Sequence, residues 1–464
     1  MKNSCLTSMR LRLAHPTHRT LTLAMTLVCG SLSHSAWAMN LSEAYQAAME
    51  QDASLRATRA ATDSRRERIP QTRAQLLPNI SANVSRNRNA LDSTTPNFLG
   101  NSVTTHSNYN SSSQGVTLRQ PLFRSYQMAE YRQAKAQVED AEAILERELQ
   151  NVAVRVSSAY FESLLTSEQL ALVLAQKTAY TSQLDAARKR FKAGVGTRTD
   201  IDEAQAALDL NVAQELEARQ NVEFTRRQLQ TLVNRPVDNL ASLDAARMAL
   251  EPPSPNRLED WTERAETSSP EILSLQAQLK AARHEVEKTQ AGHYPTLDAI
   301  AQWSRTESDT VTSVNNRYTN KSIGLQLNVP LFAGGYVSST VRQAVAEQER
   351  AEQALEALRR DLGMRVHREF RNVTEGVLKV KALEQAVRST ELVALSTLRS
   401  FEAGSRTLVD TLNTEQQKVA AQRDLAQARF VYLMARVRLQ ALTGSPKTEV
   451  IDQINGWLKP NTKP

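Results

Sequence analysis

Few residues in this chain could do covalent or metal chemistry. Beyond residue 38 there are four scattered histidines, His106, His284, His293 and His367, and no cysteine. No His-Glu-x-x-His pair suits zinc, and no Gly-Lys loop suits a phosphate. His293 precedes Pro295 in what reads as the turn into a strand. An enzyme is not expected, nor a metal or cofactor. The patterned polar residues lie in a turn that occurs twice. One copy reads Arg190-Phe-Lys-Ala-Gly-Val-Gly-Thr-Arg-Thr-Asp200 and the other Ser400-Phe-Glu-Ala-Gly-Ser-Arg-Thr-Leu-Val-Asp410. Phe191 matches Phe401, Gly194 matches Gly404, Thr197 matches Thr407 and Asp200 matches Asp410, all at one offset of 210. Their chemistry is conformational and electrostatic. Gly accepts the left-handed backbone that ends a helix, and Thr with Asp starts the next one. Each copy is therefore the tip of a helical hairpin, and the unit is duplicated.

Two proline-free blocks carry these tips, one between Pro121 and Pro236, the other between Pro330 and Pro446. Both are rich in helix-favouring Ala, Leu, Gln, Glu and Arg. Ser125 to Arg190 is 66 residues, roughly 100 Å as one helix. Leu145, Leu149, Val152, Val156 and Ala159 step by four and three, as do Leu355, Leu358, Leu362, Val366, Phe370, Val373, Val377 and Val380. That is a coiled-coil-like seam. Gly363 and Gly376 interrupt the second block without a sequence-level reason.

The stretch before each block alternates with period two. Ile80, Ala82 and Val84 oppose polar neighbours, and Gly115 to Phe123 runs to a Pro-Leu-Phe ending at Pro121. Leu297, Ala299, Ala301 and Trp303 form one face, as do Ile323, Leu325, Leu327 and Val329 before a second Pro-Leu-Phe at Pro330. These read as strand pairs across polar loops, Asn87 to Ser113 and Arg305 to Lys321. Apolar-out, polar-in hairpins suit a transmembrane β-barrel. Four strands cannot close one alone, so copies must pool them.

Lys2, Arg10, Arg12 and Arg19 precede an apolar run over Leu21 to Val28, and Ala36-Trp37-Ala38 offers a small-x-small cleavage site. This reads as a secretory signal. The run is too short to span a bilayer, and bulky Val28 before Cys29 does not suit lipidation. Cleavage would remove both cysteines and leave 53 basic against 50 acidic residues, which gives no reason to expect nucleic-acid binding. With 5% aromatic residues and a mean hydropathy of −0.46, the composition fits long helices burying a stripe better than one thick core.

The expected order is a signal over 1–38, a first helix over 39–75, a strand pair over 76–123 and a helical hairpin over 124–235. An equatorial linker with helices over 236–292 comes next, then a strand pair over 293–332, a second hairpin over 333–444 and a short tail over 445–464. The chain resembles the TolC family of outer-membrane channel proteins. Leu77-Pro78, His293-Tyr-Pro-Thr-Leu297, Pro330-Leu-Phe-Ala-Gly-Gly335, Phe401 to Asp410 and Leu442-Thr-Gly444 carry the likeness. The resemblance implies a mainly α fold with a small β part. In a homotrimer, long hairpins form an α-barrel in the periplasm and twelve strands form one barrel in outer-membrane lipid. It also implies two partners, a periplasmic adaptor and an inner-membrane pump, either ABC-type or proton-driven.

The resemblance further implies a gate. Asp410 from three copies would ring the tunnel mouth, and like charges brought close raise one another's pKa and attract cations. The family's second acidic ring falls at Asn413, which keeps polarity but loses charge, so weaker cation selectivity is expected. Asp200 beside Thr199 matches the acidic side of the family's lock and Arg406 the basic side. Phe401 stands where a hydroxyl-bearing aromatic is usual and cannot donate a hydrogen bond. Ala193, Gly194 and Val195, with Ala403, Gly404 and Ser405, form the outermost tips, where the resemblance implies adaptor docking. Type I protein secretion is the favoured role and drug efflux the alternative. A periplasmic coiled-coil scaffold is the rival from another class, but it would not need the matched strand pairs.

Overall fold

A computed structural model of the chain describes residues 38–310, 313–444 and 447–459. All of the expected signal but Ala38 lies outside the described residues. Where one first helix reads from the sequence, three stand: α1 (Leu41–Gln51), α2 (Ala53–Arg66) and α3 (Arg68–Ala74). The break at Asp52 is a capping event. Its backbone is extended, and its carboxylate accepts from the Leu55 N–H at 2.8 Å, so the donor left open at a helix start is satisfied.

The strands are far longer than their apolar alternation. β1 (Asn79–Pro96) and β2 (Ser102–Phe123) pair antiparallel through most of the stretch that reads as a polar loop, leaving only a turn. In that turn Asn97 Oδ1 accepts from the Leu99 and Asn101 N–H groups, both at 3.0 Å. The reason is that a ladder is made by backbone groups. Outside an apolar layer, Ser, Thr and Asn on both faces serve it as well as alternation does.

Two long helices come next, α4 (Ser125–Lys192) and α5 (Arg198–Val233). The linker carries α6 (Leu258–Ser268) and α7 (Pro270–Gln290). Then β3 (Thr296–Thr310) and β4 (Ser313–Asn328) repeat the long ladder through the second supposed loop. The last helices are α8 (Tyr336–Glu402), α9 (Leu408–Leu442) and α10 (Lys447–Asn455). One sheet runs β1-β2-β3-β4, and its outer edges at β1 and β4 have no partner among the described residues.

The core sits where α1, α4, α8, α9 and the linker meet. Leu41, Tyr160, Phe161, Trp261, Leu362 and Leu433 are buried there. Two of its largest polar side chains are matched: Tyr160 donates to the Ala241 carbonyl at 2.9 Å, and Trp261 Nε1 to the Pro255 carbonyl at 2.7 Å, while the buried Ser157 Oγ of α4 has no partner among the described residues. Gly376 now has a reason, because a Cβ there would stand 3.1 Å from the Tyr432 ring. Nothing in the structure explains Gly363. The first and last described helices meet here too: Asn455 Oδ1 of α10 accepts from the Leu41 N–H of α1 at 3.1 Å.

The two long hairpins are joined differently. Between α4 and α5 lies a polar lane. Asn211 donates to Gln176 Oε1 at 3.1 Å, Gln176 donates to the Tyr180 hydroxyl at 2.9 Å, and Lys177 reaches Glu215 at 2.6 Å. Between α8 and α9 the buried part of the corresponding zone is apolar, built on Val380, Leu425 and Ala428 with Leu383 and Val387, and polar links lie at its margin, Arg429 to Glu384 at 3.0 Å and Gln422 to Glu391 at 2.8 Å. At the sheet's base, the buried Asp298 of β3 takes Arg119 Nε of β2 and Arg124 Nε of the β2–α4 link, each at 2.9 Å.

Candidate functional site at the hairpin tips

Each tip is built as its residues dictate. α4 ends at Lys192 and α8 at Glu402, and Gly194 (φ +74°) and Gly404 (φ +81°) supply the left-handed turn. A side chain at either glycine would be strained. A capping box opens each partner helix. The Thr197 N–H donates to Asp200 Oδ2 at 2.9 Å, and the Asp200 N–H to Thr197 Oγ1 at 3.1 Å. Thr407 and Asp410 repeat the pair at 3.1 and 3.2 Å.

These bonds decide what the acids can do. The Thr407 backbone N–H, and then its hydroxyl, hold the Asp410 carboxyl below its ordinary range, and the Arg406 charge adds to this. Arg406, in the tip turn before α9, lies 4.0 Å from Asp410 in the first turn of that helix, so within one chain its ion pair is with Asp410 and not with Asp200. Asp200 is engaged with Thr197, and Thr199 beside it is exposed. Asn413 is exposed one turn beyond Asp410. Ala193, Gly194 and Val195, like Ala403, Gly404 and Ser405, are exposed at the outermost turns.

The contact that ties the hairpins together is one that sequence reasoning missed. Phe401 is 8% exposed, packed in a cluster with Tyr180, Leu184, Ala204, Leu408 and Leu412 from all four long helices. Arg190 lies over its ring, 4.6 Å from the centroid, and donates to the Phe401 carbonyl at 3.0 Å. A cation over an aromatic face is worth about 0.5–2 kcal/mol. A ring without a hydroxyl thus still latches the tips, through its face and its backbone. The signal was present in the duplication: Arg190 falls opposite Ser400, so the repeats depart from each other there. Beside the cluster, α4, α8 and α9 enclose a groove of 560 Å³ lined by Ala186, Leu395, Leu398, Thr411 and Glu415.

A family model described as "Outer membrane efflux protein" matches residues 44–235 and 261–445. The chain is 32% identical over 415 residues to the alkaline protease secretion protein AprF of Pseudomonas aeruginosa, covering 89% of this chain and 86% of that one. It is 29% identical over 440 residues to the proteases secretion protein PrtF of Dickeya chrysanthemi, covering 94% of each. The outer-membrane channel OprN, a solved structure, superposes with a TM-score of 0.76 at 18% identity, covering 88% of this chain and 90% of that one.

Proposed function

The chain belongs to the family of outer membrane efflux proteins, the TolC family, and from that premise we propose that it serves type I protein secretion. It is an outer-membrane channel with its helical tunnel on the periplasmic side. Three copies pool their strands into one twelve-stranded barrel and their hairpins into one tunnel. A periplasmic adaptor docks at the exposed tips, around Gly194 and Gly404, and hands over cargo from an inner-membrane pump.

The observation that carries the assembly is the open sheet. Among the described residues β1 and β4 are unpaired edges, beside exposed Ile80, Val84, Ile323 and Leu325, and lipid does not tolerate an open edge. No helix among the described residues is long and apolar enough to cross a membrane. The protein cargo rests on near full-length likeness to two proteins named for protease secretion. At the tips, Asp410 and Asn413 of three copies line the mouth, and Arg190 with Phe401 holds each pair of hairpins closed. Asp200, Thr199 and Arg406 complete the closed ring between copies.

Two experiments test this. In a planar bilayer the purified protein should give small, cation-preferring steps that grow in Arg406→Ser; a folded oligomer without conductance removes the channel reading. Deleting the chain from its own cell should empty the medium of particular secreted proteins and leave drug tolerance unchanged. Lost tolerance with unchanged secretion replaces protein export with drug efflux.

A further inference from the structure

The strands continue beyond their apolar rungs, and the charges on that continuation stand on one side. Cross-strand partners stack Leu297 with Leu327, Ala299 with Leu325, and Ile80, Leu118, Ala301 and Ile323 on one face. Trp303 and Val116 share the next rung with Lys321. Farther along that same face come Arg305, then Arg86 with Glu307 and Arg317, then Arg88. The opposite face of those rungs holds residues such as Ser85, Asn87, Ser113, Ser304, Thr306 and Asn320, and no charge among the described residues. Charges placed only for solubility would appear on both faces of a ladder standing in water. These stand only on the face that carries the apolar band.

Among the described side chains of these rungs one acid stands against five bases, and Asp92 lies farther out on the same face. Glu307 is shared by Arg305 at 2.8 Å and Arg317 at 2.6 Å. Arg86, Arg88 and Lys321 are exposed and have no ion-pair partner among the described residues. Depth places them. Lys321 stands eight residues from Val329 along the sequence, roughly 26 Å of strand and about 20 Å of height at a tilt of about 40°. That nearly spans an apolar band of about 25 Å. The strands lead away from the long helices, so the basic residues sit level with the headgroups of the leaflet farther from the tunnel. Lys321 borders a largely apolar recess of 580 Å³ lined also by Val116, Leu118, Ala301, Trp303 and Ile323. Trp favours this boundary because one end of it is apolar and the other polar.

We infer that this face is a binding belt for the phosphate-bearing headgroups of outer-leaflet lipid, with an acyl chain in the recess. The inference rests on the membrane reading of the sheet given above. Guanidinium groups grip phosphate oxygens in pairs and Lys321 adds a point charge. The belt supplies in protein the positive charge that divalent cations otherwise supply between lipid phosphates.

The test titrates the full-length oligomer in neutral detergent with lipopolysaccharide or with its dephosphorylated form, in a chelator, following tryptophan emission. The wild type should bind the phosphorylated form on the order of tenfold or more tightly. Arg86→Gln/Arg88→Gln/Lys321→Gln should lose that preference. Its oligomeric state and its conductance should stay at wild-type values, which separates failure of the belt from failure of the channel reading. Equal binding of both lipid forms, an unchanged triple variant, or displacement of the lipid by millimolar inorganic phosphate would each overturn the proposal.

Discussion

The helical hairpins α4–α5 and α8–α9 are the same object twice, and the buried parts of their seams differ, polar in the first and apolar in the second. Their boundaries agree to within a residue at the offset of 210. Yet Gln176, Lys177, Asn211 and Glu215 of the first stand opposite Ala386, Val387, Ala421 and Leu425 of the second. The tips differ likewise: Phe191 is 43% exposed and Phe401 8%. Boundaries are set locally, by Gly and by the Thr–Asp boxes, so duplication reproduces them. Seams are set by what each helix meets across space, so the copies are free to diverge. A polar lane specifies one register, because any slip leaves buried polar groups unpaired. An apolar seam favours burial without naming a register so strictly.

The comparison breaks hardest at the two phenylalanines. Phe401→Ala should cost about 3–5 kcal/mol and Phe191→Ala within about 0.5 kcal/mol, read by denaturant unfolding. Equal losses would mean that the tips are equivalent after all. Next, Asn211→Ala should cost about 1–3 kcal/mol, because Gln176 Oε1 loses its donor in a buried site; no loss would make the lane incidental. Arg190→Gln should favour the open tip by about 0.5–2 kcal/mol, seen as a higher open fraction in single-channel records, and Ser400→Arg should not reproduce the latch. The smallest effect is with pH. Because the Asp410 carboxyl is held below its unfolded value, its cap is fully present above that value and fades as pH falls through the lowered one. Asp410→Asn should flatten that acid limb in a melting series.

Most of the helical half was legible. Gly194 and Gly404, the Thr–Asp boxes and the seam from Leu355 to Val380 are signals that act within a few residues of their cause. The strand ends were not, since the ladder beyond Val84 rests on backbone pairing and the side chains there carry no apolar period, only an alternation of charged with uncharged polar residues. The break at Asp52 was hidden for another reason: one carboxylate satisfying one N–H leaves no trace in hydrophobic spacing. The latch was hidden by distance. Arg190 acts on a ring and carbonyl 211 residues away, and only its mismatch with Ser400 hinted at it.

The Asp298 junction has a mechanical meaning. One buried carboxylate binds arginines from β2 and from the link into α4, so the sheet and the long helix cannot turn against each other without breaking it. The joint is a clamp, and a second hold lies at mid-length, where Val152, Tyr160 and Phe161 of α4 are buried in the core. A rotation of about 20° at the tip, spread over the stretch from Leu165 to Lys192, is roughly 0.7° per residue, far inside the ordinary scatter of helical dihedrals of about 15–20°. The tip can swing while no single turn of the helix is measurably distorted and the barrel end stays still.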